Sequence, residues 1–257
     1  MGAIDDFVIG YDADRSTMVA DEVLDYIFDG RPHLLADPMR AWLDTSRRFT
    51  AFVNTFRDKI RKKIRVTPDS ESILDVRLEL ETAYLILREP RLSLVYEPQL
   101  SERVRAPDFA VSFTTSLTFM LEVTRLRARS NLEQLPGMEF RAERLMDAIC
   151  GKLGQMQPKQ GNVLLIGADF ESFTQMELRD VLLQLQKRTE REDVSFLRRY
   201  GLRDRADFFR YYGRLSEVLV RRTDGESTWP LAAWVNPQAK NLLPPRVRTV
   251  LYRSQTL

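Results

Sequence analysis

Asp108 and Glu122 are the residues whose types and spacing could do chemistry together. They bracket two apolar runs, Phe109 to Phe113 and Leu117 to Leu121, joined through Thr114-Thr115-Ser116. If this stretch folds as a hairpin centred on Thr115, Phe109 meets Leu121, Val111 meets Phe119 and Phe113 meets Leu117. That register collects an entirely apolar face, whereas a slip of one residue would scatter it. It also sets Asp108 opposite Glu122 on the other face, with Thr124 two residues beyond. Carboxylates opposed in this way have Cβ atoms about 5 Å apart and repel each other. A hard divalent cation, Mg²⁺ or Mn²⁺, takes oxygen ligands, would relieve that repulsion, and could activate a water against a phosphodiester. A solvated strand face, its acids screened by water or by arginine, would carry the same residues.

The elements that must position these residues follow from hydrophobic period. Thr17 to about Arg65 is helical in pattern and ends in the basic cluster Arg57, Lys59, Arg61, Lys62, Lys63 and Arg65. Thr67-Pro68-Asp69-Ser70 breaks it, and Asp69 or Ser70 can cap a second long helix running to about Arg88. After Pro90 the period changes from 3.6 to 2, so Leu92, Leu94 and Tyr96 read as a strand ahead of the hairpin. A third helix covers about Glu139 to Gln155, and Asn162 to Gly167 is a short apolar strand. Glu177 to Arg188 and Asp204 to Tyr212 read as helices, Leu215 to Arg221 and Leu231 to Val235 as strands around the turn Thr223-Asp224-Gly225, and Pro245 to Arg253 as a closing helix. The order predicts an α/β (α+β) fold: a central mixed sheet of about four to six strands flanked by helices, with one face of the sheet covered. Three segments are expected: a helical N-terminal part (1–68), the core (69–175), and an α/β extension packed on it (176–257).

Composition narrows the chemistry. The 257 residues include one histidine, His33, and one cysteine, Cys150. Zinc sites built from Cys and His, and disulfides within the chain, are therefore excluded. A serine or cysteine triad could use only His33, and no G-x-S-x-G accompanies it. Lys and Arg number 39 against 37 acids, so net charge alone announces no polyanion. Only seven of the 39 are Lys; an Arg-rich set suits forked contacts with phosphate, though composition bias alone produces it too. The acidic start MGAIDDFVIGYDAD lacks the parts of a signal peptide, and no apolar run approaches membrane length, so a cytoplasmic protein without a membrane partner is expected.

Pro107-Asp108, followed by Glu122-Val123-Thr124, resembles the motif of the PD-(D/E)xK, or restriction-endonuclease-like, nuclease superfamily. The superfamily's core order of helix, three strands, helix and strand is similar to the one read above, and Glu97-Pro98 resembles the corresponding segment of bacterial members. The resemblance spans roughly Asp69 to Asp169. It implies a metal-dependent nuclease in which Asp108, Glu122 and the Val123 carbonyl hold Mg²⁺ or Mn²⁺. It also implies that a Glu on the preceding helix, Glu79 with Glu81 as rival, assists the metal or its water. Nucleic acid, DNA first, becomes the expected partner, and a homodimer is compatible. The chain departs from the motif at Thr124, where the superfamily has Lys; Thr supplies no charge to offset that developing on the phosphate. Some members carry the cation on the helix after the second strand, and Lys152, with Gln155 one turn on, takes that place here. Lys152 could equally be a lysine snorkelling from a buried face. Arg125 and Arg127, just after the motif, are candidates for phosphate contact, Arg125 ranking lower because alternation turns it away from Glu122. Thr124 favours the alternative of a silent nuclease-fold protein that binds nucleic acid or a protein partner.

Other features read more simply. The basic run Arg57 to Arg65 could follow a nucleic-acid backbone or be a solvated helix end. Phe208, Phe209, Tyr211 and Tyr212 could stack on bases but have the spacing of a helix core. His33, beside Arg31-Pro32, is structural.

Overall fold

A computed structural model describes residues 19–99, 106–114, 117–126, 138–168, 174–223 and 232–255. The chain divides into two compact units, 1–66 and 67–257.

In the first unit the long helical pattern resolves into α1 (Ala20–Phe28), α2 (Ala36–Thr45) and α3 (Arg47–Val66). The first break falls where Asp29 and Gly30 take left-handed φ angles of 58° and 65°, followed by Pro32. The second falls at Ser46, which is extended. Val23, Ile27, Met39, Trp42, Phe49 and Val53 form the core of this unit. His33 stacks on Phe28 at 4.6 Å and its Nδ1 accepts the Leu35 N–H, so it serves the turn.

The second unit is built on one six-stranded sheet with the strands in chain order: β1 (Leu92–Tyr96), β2 (Phe109–Phe113), β3 (Leu117–Leu126), β4 (Gly161–Ala168), β5 (Leu215–Arg222) and β6 (Ala232–Val235). The first three form an antiparallel meander, β4 and β5 add in parallel, and β6 closes antiparallel. The parallel steps cross over through α5 (Met138–Leu153) and through α6 (Gln175–Glu190), α7 (Val194–Arg199) and α8 (Arg205–Tyr212). The hairpin register is the one that gathers its apolar face: Phe109 opposite Leu121, Val111 opposite Phe119, Phe113 opposite Leu117.

Helices cover both faces of the sheet rather than one. On the first lie α4 (Ser70–Arg88) and α9 (Pro245–Ser254). On the second, α5, α6 and α8 pack over Leu126, Leu164, Ile166, Val218 and Val220. The signal was the unalternating run Val163-Leu164-Leu165-Ile166, which marks a strand buried on both sides. Among the described residues no helix is long and apolar enough to cross a membrane.

The seating of α4 combines close approach with buried charge. Its N-cap is Asp69, whose carboxylate accepts the Ser72 N–H at 2.8 Å. Gly167 of β4 lies beneath Leu78, and a Cβ at Gly167 would stand 2.5 Å from the Leu78 side chain. On the neighbouring strands Arg125 and Arg221 share the row of Gly167. Arg125 binds Glu71 and Asp75 of α4, and Arg221 binds Glu81 at 2.8 Å. Burial lowers the Arg221 proton affinity while Glu81 opposes that shift.

Candidate active site

The paired register ends at Phe109 opposite Leu121, so Asp108 and Glu122 each lie one residue beyond the last pair. One Asp108 oxygen accepts the backbone N–H of Val123 at 2.7 Å, which ties the carboxylate to β3 at the motif residues. Glu122 points to the face covered by α5, since its strand partner Leu164 belongs to that core. Its carboxylate is 3% exposed, yet it is not stranded in apolar surroundings: the Lys152 Nζ donates to it at 2.9 Å.

Lys152 reaches Glu122 because α5 returns over β3 before entering β4. Its neighbours Leu145, Ile149, Leu153 and Met156 are all fully buried, so the helical stripe turns Lys152 toward the sheet. Gln155 Oε1 lies 3.5 Å from the same ammonium, the turn-on-turn relation expected from their spacing. Thr124 occupies the next position of this strand face and is half-buried. Glu122, Lys152 and Gln155 thus meet beneath α5, while Asp108 is held at the edge of β3 by the N–H of the next residue, Val123.

Glu79 does not join that group. It projects from α4 on the opposite side of the sheet, where the Tyr96 hydroxyl donates to it at 3.2 Å. Tyr96 pairs with Phe109, one residue past Asp108. Burial, then the charges of Glu79 and Glu97, hold the Tyr96 phenol far above its ordinary range, and the Asp108 charge adds to this. Glu79 is therefore joined to the hairpin only by way of Tyr96, in the layer opposite Glu122. Its rival Glu81 is committed to Arg221. Among the described residues no three acidic, histidine or cysteine side chains gather as a metal-holding group.

Arg125 is withdrawn from any ligand on the Glu122 face. Strand alternation turns it to α4, where Glu71 and Asp75 engage it and its side chain is 2% exposed. Arg127 lies outside the described residues.

Tyr96, expected only as a strand residue, and Glu97, expected only within Glu97-Pro98, turn out to link Glu79 and Asp108 to β1. Glu97 donates its N–H to the Asp108 carbonyl at 2.9 Å and holds a left-handed φ of 45°. Such a conformation costs on the order of 1–3 kcal/mol in a residue with a side chain. Nothing in Glu97-Pro98 signals this, because the residue before proline is ordinarily held to extended backbone with negative φ.

The donors at the motif are all hard oxygen: two carboxylates and the carbonyl of Val123. That set fits Mg²⁺ or Mn²⁺ and not a soft metal. Comparison of the chain with family profiles, with curated proteins and with solved structures finds no match.

Proposed function

We propose that the chain is a metal-dependent nuclease that hydrolyses phosphodiester bonds of DNA, with the superfamily's motif lysine replaced in space by Lys152. The observation that carries this reading is the Lys152 ammonium 2.9 Å from Glu122, with Asp108 bound to the N–H of the next residue on that strand. Asp108, Glu122 and the Val123 carbonyl would hold Mg²⁺ or Mn²⁺. When bound, that cation supplies Lewis-acid polarisation of the phosphate and an acidified water.

The protein groups divide the remaining work. Asp108 is fixed by the Val123 N–H, so its carboxylate needs no reorganisation when ligand arrives. Lys152 provides the positive charge that Thr124 lacks, to set against charge growing on the phosphate. Gln155 shares the ammonium and steadies its direction. Glu79, held by Tyr96, supports the Asp108 end from the opposite layer.

One observation favours a second reading. Glu122 already has a cationic partner in Lys152, and with Thr124 at the motif position the pair would also suit a silent nuclease-fold protein that binds nucleic acid or a protein partner.

Cleavage of DNA in the presence of Mn²⁺ tests the proposal. Glu122→Ala is expected to abolish it, and the isosteric Glu122→Gln to lower it by about 10²-fold or more, the scale of losing one charge-stabilising group. Cleavage that survives in Glu122→Ala, freed of host nuclease, rejects the assignment. Calorimetry separates the two readings. An active enzyme titrates with Mn²⁺ at a site that Asp108→Asn removes, whereas a parent protein with no such site is the silent form.

A further inference from the structure

The first unit concentrates positive charge on a single helix. Helix α3 carries eight Arg and Lys residues and a single acid, Asp58, while the unit's other described acids lie on α1, on α2 and at Asp29, just after α1. A helix C-terminus favours cations, but only in the last turn, which accounts for Lys63 and Arg65. Arg57, Lys59, Arg61 and Lys62 lie before it. Their spacing is unfavourable in isolation, since Arg57/Arg61, Lys59/Lys63 and Arg61/Arg65 are like-charge pairs one turn apart, each costing about 0.2–0.5 kcal/mol.

Part of that charge is organised. Asp29 takes Arg61 and also Arg65, the latter at 2.6 Å, and the Arg57 and Arg61 guanidinium groups lie over the Tyr26 ring at 5.5 and 4.3 Å. Asp29 is held below the usual carboxylate range, first by the hydrogen bond from Arg65. Beside them an open groove of about 360 Å³ is lined by Tyr26, Asp58, Arg61, Lys62, Arg65 and Val66. Lys59 and Lys62 are exposed on the adjoining surface.

We infer that this ridge of α3, centred on Lys59, Lys62 and Lys63 and bordered by Arg57 and Arg61, binds the phosphate backbone of a nucleic-acid duplex. The apolar stripe of α3, Phe49, Val53, Ile60 and Ile64, is buried within the unit, so the helix has no apolar face with which to enter a lipid surface. What remains outward, apart from Val66 at the helix end, is mainly charge, complementary to a polyanion and indifferent to base sequence. The inference deepens the nuclease reading and rests on it, because it gives the same substrate class a point of attachment on the first unit in addition to the residues of the second.

The test is fluorescence anisotropy of the full chain with a labelled DNA duplex, without divalent metal, across 50–200 mM salt. Lys59→Gln/Lys62→Gln/Lys63→Gln is expected to weaken binding by about ten-fold or more and to flatten the slope of log K against log salt by about 2 to 3, since each phosphate contact contributes roughly 0.9. The Lys-to-Arg version at the same three positions keeps both. Circular dichroism of the Gln variant monitors folding, and Arg-version rescue guards against a merely structural loss. Unchanged affinity and slope in the Gln variant overturn the inference. So does a parent protein that ignores the duplex but binds vesicles of anionic phospholipid. Failure of the nuclease reading is seen separately, as duplex binding with an intact salt slope but no Mn²⁺-dependent cleavage.

Discussion

Arg221→Ala is expected to lower the stability of the sheet unit by about 3–5 kcal/mol, the usual loss when one member of a buried ion pair is removed. Glu81 would be left 7% exposed without its 2.8 Å partner, pressed between α4 and β5. The melting temperature should fall by roughly 10 °C, given the scaling for domains of this size. The cost comes from the charge left behind and not from the value of the pair itself. Glu81→Leu/Arg221→Met should therefore recover most of the loss in urea unfolding. A double variant as unstable as Arg221→Ala would show that shape, and not uncompensated charge, sets the penalty.

Glu217→Gln should change stability in a manner that depends steeply on pH. Glu217 lies on β5 at 1% exposure, and among the described residues neither carboxylate oxygen has a hydrogen-bond donor. Burial pushes its carboxyl up to about 8 from an ordinary 4.5, with Arg248 of α9 opposing. Below pH 4.5 the acid is protonated whether the chain is folded or not, and the group favours neither state. As pH rises from 4.5 to 8 the unfolded chain releases this proton while the folded chain keeps it, so folding loses stability. The loss accumulates at about 1.4 kcal/mol per pH unit and levels off above pH 8 at about 5 kcal/mol. Gln, which does not titrate, escapes that loss. Urea unfolding at pH 4.5 and pH 9 should show the variant gaining several kcal/mol over the parent at the higher pH. A difference that stays constant across the range would mean that Glu217 titrates normally.

How much of this was legible in the sequence depended on whether one side of an element was distinguishable from the other. The hairpin was legible because its two faces differ: only one pairing places Phe109, Val111 and Phe113 against Leu121, Phe119 and Leu117. The same asymmetry placed Lys152 over the sheet, on the stripe with Leu145, Ile149 and Leu153. Helix α4 offered no such contrast. Every residue from Leu78 to Leu87 is buried, Glu79, Glu81 and Thr82 included, so period could not say which glutamate faced which layer. The assignment of Glu79 to the metal side therefore rested on resemblance, and its engagement by Tyr96 on the other face was not readable. Helix α7 was missed because six residues are too short to show a helical period.

The sheet has one more property with consequences for how the protein comes into being. Its strands are laid side by side in the order in which they are translated. As each leaves the ribosome, the ladder edge it needs is already exposed by its predecessor, and no finished ladder must be opened to admit it. The hairpin can form first, on the microsecond scale of such turns. The slowest closure then falls to β5, which must wait for α6, α7 and α8 before it meets β4. Until then β4 is an unprotected edge with the run Val163-Leu164-Leu165-Ile166, and this is the interval in which a nascent chain is most open to capture by another copy.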